Sequence, residues 1–127
     1  MLLRRDMDLE RAFAAAGGLL LAGPDPTGDG NVIPGFADQR GIELLVEAGF
    51  TPLEAIRVAT YNGALYLNRQ DQIGSIAVGR HADLVVVRGD PSARIEDVEN
   101  VELVFKDGVG YDPGRLLEAV GGRYGLY

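Results

Sequence analysis

The chain has 127 residues, 46% hydrophobic and 24% charged, with 12 Lys+Arg against 19 Asp+Glu and a net charge of -7. These proportions suit a folded chain and exclude global disorder, while the length allows one modest domain and not a whole α/β barrel, which takes about 250 residues. The acidic balance, without a basic patch, argues against nucleic acid or an anionic membrane as partner, and the absence of cysteine excludes disulfides, thiolate catalysis and Cys-based zinc sites.

From Asp6 to Ala16 the acids come early and Leu9, Ala12, Phe13 and Ala16 recur at helical spacing, so a helix is expected there, stopped by Gly17-Gly18. Leu19-Leu20-Leu21-Ala22 is a short apolar run bounded by glycines and Pro24, the signature of a parallel strand covered on both faces. It delivers one carboxylate, Asp25, to the end where α/β folds place their chemistry. The following turn formers, Pro26 to Asn31, read as a loop. From Phe36 to Ala48 the residues Ala37, Gly41, Leu44, Leu45 and Ala48 share a helical face, with Gly49 as terminator, which completes a strand-loop-helix unit.

Thr51-Pro52-Leu53-Glu54 is a helix start in which Thr51 caps, Pro52 takes the first position and Glu54 closes a capping box, with Phe50 stapled onto Ala55. That helix runs to about Tyr61, where Asn62 is expected to cap a second short helix containing Ala64, Leu65 and Leu67. Beyond Asp71 the period changes. Ser75 to Val78, Ala82 to Arg88 and Val101 to Lys106 are β-rich runs separated by turn residues, and Pro113 to Val120 reads as a last helix. Helices therefore precede Asp71 and a small sheet follows it. The opening residues Met1 to Asp6 carry no signal-peptide core and Leu19 to Ala22 is too short to span a bilayer, so a soluble, cytoplasmic chain is expected, with any signal peptide lying upstream of Met1.

In order and spacing, several motifs together resemble the C-terminal end of the metal-dependent amidohydrolases, in particular their imidazolonepropionase-like and Xaa-Pro dipeptidase-like branch. They are Leu21-Ala22-Gly23-Pro24-Asp25, Leu45-Val46-Glu47-Ala48-Gly49, Thr51-Pro52-Leu53-Glu54-Ala55-Ile56, Ala59-Thr60-Tyr61-Asn62-Gly63-Ala64, Ile73-Gly74-Ser75-Ile76, Val78-Gly79-Arg80-His81-Ala82-Asp83-Leu84-Val85-Val86, Gly89-Asp90-Pro91 and Val104-Phe105-Lys106-Asp107-Gly108. The resemblance implies an α/β fold with a small β part. Residues 1–70 would be the end of a (β/α)8 barrel with its last strand-helix unit and following helices, 71–112 strands of a composite β-sandwich, and 113–127 a C-terminal helix and tail. By the same resemblance Asp25 is the acid of the last barrel strand, which binds the metal, zinc or another divalent ion, and takes a proton from its bound water.

The family's His-x-His pair, its carboxylated lysine and its later histidines have no counterpart here, so they are expected upstream of Met1. A family Gly-Thr-Asp is replaced by Gly23-Pro24-Asp25. A catalytic zinc takes about three protein ligands. The resemblance therefore implies a fragment, inactive and without metal by itself, of an enzyme that hydrolyses carbon-nitrogen bonds in small cyclic amides, amidines or blocked dipeptides. Its partners would be a small-molecule substrate in the complete enzyme, and further copies or the missing barrel portion.

Read by themselves, the candidate residues have plainer roles. Asp25 beside Pro26 also fits a turn, Asp29 and Asn31 are ordinary turn residues, His81 reads as an exposed turn residue with no metal role, and Asp83 as a hydrogen-bond acceptor at a strand entry. Tyr61, Tyr66 and Phe105 read as packing residues. Gly28-x-Gly30 lacks the third glycine of a dinucleotide loop. A non-catalytic module that associates with itself is the alternative from another class, since open strand edges favour such pairing.

Overall fold

The computed structural model describes residues 2–26, 32–33 and 35–122. Helix α1 spans Leu2–Ala15, α2 Phe36–Glu47, α3 Pro52–Ala59, α4 Tyr61–Tyr66 and α5 Pro113–Ala119, and the strands are β1 Leu84–Val87, β2 Val101–Lys106 and β3 Val109–Tyr111. A 3-10 turn, Ile95–Glu99, connects β1 to β2 and packs against α2. No described helix is long and apolar enough to cross a membrane.

The core is small and sits where α2 meets α3. Leu45, Ala55 and Val58 are buried there, with Leu20, Ile42, Val46 and Phe50 packed around them. This assembly follows from the local signals in the sequence. The α2 helix stops at Gly49, whose φ of 100° needs no Cβ, and the amides of Gly49 and Phe50 return to the carbonyls of Val46 and Leu45. The chain then turns directly into the capping box. Glu54 N–H donates to Thr51 Oγ1, and the Thr51 amide donates to Glu54 Oε2 at 2.7 Å. Phe50 is held against the cluster that contains Ala55, as a staple requires.

The sheet is antiparallel in the order β1-β2-β3, with Leu84 opposite Phe105 and Val85 opposite Val104, and Phe105 opposite Gly110 on the other side. The hairpin between β2 and β3 turns on Asp107 and Gly108, both at positive φ, the preference of a two-residue turn that matches strand twist. The strand β3 and the 3-10 turn lie outside the elements expected from sequence.

Four expectations are corrected. The first helix begins at Leu2, four residues early, and its stripe of Leu9, Ala12, Phe13 and Ala16 faces outward while Met7 is buried. Arg11 holds α1 to the next unit through the Gly49 carbonyl and the face of Phe50. Residues 19–22 form no strand, because no described strand lies beside them to supply a ladder. Residues 75–78 are also irregular: Arg80 N–H closes a turn onto Ala77, and Ile76 and Val78 stand in solvent, 88% and 106% exposed. Finally, Thr60 precedes α4 and Asn62 lies inside its first turn, where it caps nothing.

Much of the surface is left uncovered. The chain exposes 9409 Å², whereas a compact monomer of 13.6 kDa exposes about 6,600 Å². Apolar residues on α1, β1 and α5 contribute to this excess, among them Leu9, Phe13, Val85, Leu116 and Leu117.

Candidate functional site

Residues Leu20 to Pro24 form one wall of an open groove of about 420 Å³, and α2 forms the other through Ala37, Gly41 and Leu44. Asp25 follows directly on this wall and is exposed to solvent. The groove is lined mainly by apolar side chains, with Glu10, Asp38 and Arg40 as its charged members. Of the loop that follows, Asp29, Asn31 and the Gly28-x-Gly30 pattern lie outside the described residues.

Arg40 reaches Glu43 at 2.9 Å and Glu47 at 2.6 Å along its own helix. The hydrogen bonds to Glu47 and then Glu43 raise its pKa still further above the ordinary arginine value. Glu43 is buried, so Arg40 serves to neutralise a carboxylate that would otherwise sit unpaired against the core. The i, i+3 and i, i+7 spacing of these charges on α2 was visible in the sequence, but their shared use of one guanidinium was not.

A second constellation lies on the sheet. The ligand atoms of His81, Asp83 and Asp107 fall within 4.8 Å of one another, the one such grouping among the described residues. His81 Nδ1 is 3.2 Å from Asp107 Oδ1, Asp83 Oδ1 accepts the Asp107 amide at 2.8 Å, and Lys106 Nζ lies 2.8 Å from Asp83 Oδ2 and 3.5 Å from Asp107 Oδ2. The Asp107 amide, followed by Lys106, holds the Asp83 carboxyl below its ordinary range, and the bond to Asp83 raises Lys106. The Gly108 amide adds a bond to the Ala82 carbonyl. The arrangement is a clasp that fastens the β2-β3 turn to the entry of β1. Its cation position is taken by an ammonium, all three side chains are exposed, and the group does not fit a resident metal. Asp25 does not belong to it.

Asp97, which the sequence did not single out, is a buried carboxylate between the two halves of the β1-β2 connection. It accepts from the Asp90 amide at 2.9 Å and from Asn100 Nδ2 at 3.3 Å, and it pairs with Arg94. The Arg94 hydrogen bond first, and the Asp90 amide second, lower its pKa. Each of its partners is local, so it organises a turn.

The model of the amidohydrolase family matches residues 7–110. The chain is 36% identical over 78 residues to adenine deaminase 2 of Jannaschia sp. (strain CCS1), covering 61% of this chain and 12% of that protein. It is 26% identical over 102 residues to imidazolonepropionase of Streptococcus pyogenes serotype M3 (strain SSI-1), covering 76% and 22%. A solved Xaa-Pro dipeptidase with methionine bound in its active site superposes with a TM-score of 0.56 at 39% identity, over 58% of this chain and 18% of that one. The chain spans less than a quarter of the length of each of these relatives.

Proposed function

Because the chain belongs to the amidohydrolase family, matched over residues 7–110, we propose that it is the closing portion of a metal-dependent hydrolase that cleaves carbon-nitrogen bonds in small cyclic amides, amidines or blocked dipeptides. Residues 1–70 are then the end of the barrel with its following helices, 71–112 the strands of a composite β-sandwich, and 113–127 the terminal helix and tail. The segment before Asp25 takes the place of the last barrel strand.

The observation that carries this reading is the placement of Asp25, exposed at the end of the Leu20 to Pro24 wall of an apolar groove whose other wall is the next helix. Asp25 is the acid this chain contributes to a metal centre holding zinc or another divalent ion. A catalytic zinc takes about three protein ligands, and the described residues do not assemble them around Asp25. The remaining ligands come from outside the chain, so the 127 residues alone are inactive and the complete enzyme, a cytoplasmic protein in this reading, acts on its small-molecule substrate.

The test is to join the chain to the barrel portion of such a hydrolase and measure turnover with and without Asp25→Asn. The substitution keeps the size and removes the carboxylate, so turnover should collapse. Full activity in that variant, or hydrolysis by the isolated 127 residues, would overturn the proposal. A second reading, a self-associating module without catalysis, is favoured by the uncovered surface of 9409 Å². Size-exclusion chromatography of the isolated chain separates the two, since stable closed oligomers with no gain on adding the barrel portion would favour association.

A further inference from the structure

Asn62 sits in the first turn of α4, where a side-chain amide could have served the helix end, yet it does not. Its Nδ2 instead donates to the carbonyl of Leu20 at 2.8 Å, across 42 residues of sequence and in a partly buried position. The bond lands in the segment that leads to Asp25. Leu20 is fixed a second time through its side chain, which packs on the cluster of Leu45, Ala55 and Val58.

Exposure along this segment alternates. Gly18, Leu20 and Pro24 are half-buried, while Leu19, Leu21, Gly23 and Asp25 are exposed, and Ala22 breaks the pattern. In an extended segment a slip of one residue moves each position by about 3.3 Å and turns it to the opposite face. Leu20 is half-buried and Asp25, five residues on, is exposed, so a shift of the backbone at Leu20 carries through to where Asp25 emerges. Without a ladder partner among the described residues, the segment 19–22 lacks the usual device for setting register. We infer that Asn62 is a positioning residue whose side-chain amide sets the register of residues 19–25 and so the face on which the Asp25 carboxyl emerges.

The chemistry of the amide fits this task. Alanine would leave the Leu20 carbonyl without this donor, and aspartate, of the same size, has no proton to donate at neutral pH. The functional meaning rests on the role proposed for Asp25; the register itself does not. The test is nuclear magnetic resonance on the 127-residue chain and its Asn62→Ala and Asn62→Asp variants at pH 7. In the parent, the Asn62 side-chain amide protons should show contacts to Leu20 and Leu21. In the variants the Asp25 carboxyl resonance should shift and the Leu20 methyl contacts to the Leu45, Ala55 and Val58 cluster should be lost, while contacts among those three residues persist.

An unchanged Asp25 resonance in a variant with its helices intact would overturn the inference. So would the absence of the Asn62 to Leu20 contact in the parent, a result that needs no variant to fold. A fully active Asp25→Asn hydrolase would remove the catalytic reading and leave these resonances as they are. The two failures are therefore distinguishable.

Discussion

The seat of α4, the helix that presents Asn62, can be tested through Gly74. This residue has a φ of +82°, and a Cβ placed on it would lie 2.6 Å from Ala64 Cβ, 3.1 Å from Tyr61 Cα and 3.2 Å from the Thr60 carbonyl oxygen. Gly74→Ala therefore meets two costs. The left-handed backbone costs a residue with a Cβ about 1–2 kcal/mol, and forcing a methyl against backbone atoms adds about 1–3 kcal/mol. Gly79 provides the control, since its φ of +88° is nearly the same and nothing lies within 4 Å of its Cβ position. Gly79→Ala should therefore cost only the first amount. Equilibrium urea unfolding of both variants, followed by circular dichroism, should separate them by about 1–3 kcal/mol, on the order of 1 M in the midpoint. Equal destabilisation of the two variants would mean that Gly74 does not pack on α4 and that the helix is seated differently.

Two further outcomes follow from the hydrogen bonds. Thr51→Ala removes the cap of α3 and should lower stability by about 1 kcal/mol in the same unfolding measurement, whereas Thr51→Ser, which keeps the acceptor, should lose much less. Asp97 has a folded-state pKa below the ordinary value of 3.8, so its contribution is fully present above that value and is lost as pH falls through the lower, folded-state one. The gap in unfolding midpoint between the parent and Asp97→Asn should therefore be larger at pH 7, with the parent ahead, than in acid below pH 3.8. A constant gap at both pH values would contradict the assignment.

The helical half was legible in the sequence where the signals are local. Thr51, Pro52 and Glu54 specify a helix start within four residues, and Gly49 a stop within one, so neither depends on what packs nearby. The apolar run at Leu19 and the β-rich run at Ser75 carry strand composition, but a strand also needs a neighbour, and pairing is not written in a run of four residues. Asn62 shows the same limit from the other side. Its residue type suits a cap, which would use the side-chain oxygen, and only the fold reveals that its Nδ2 donates to the Leu20 carbonyl instead. For the candidate site, the exposed position of Asp25 beside the groove wall was expected from its place after an apolar run, whereas the shared Arg40 and the buried Asp97 depend on contacts that spacing alone leaves open. The clasp of His81, Asp83, Lys106 and Asp107 was visible only as four polar residues in two motifs 26 positions apart at their extremes.

The uncovered surface has a thermodynamic consequence. Compact domains take up about 12–15 cal/mol/K per residue on unfolding because they expose buried apolar area. A chain of this mass that already presents 9409 Å² to water has less to expose, so its heat-capacity increment should fall below that range and its stability curve should be shallow, with a broad melt. The complement is a large negative heat-capacity change when those faces are covered. Calorimetry of the lone chain, and of the chain joined to a barrel portion as proposed above, would read from opposite directions how much of this surface becomes covered.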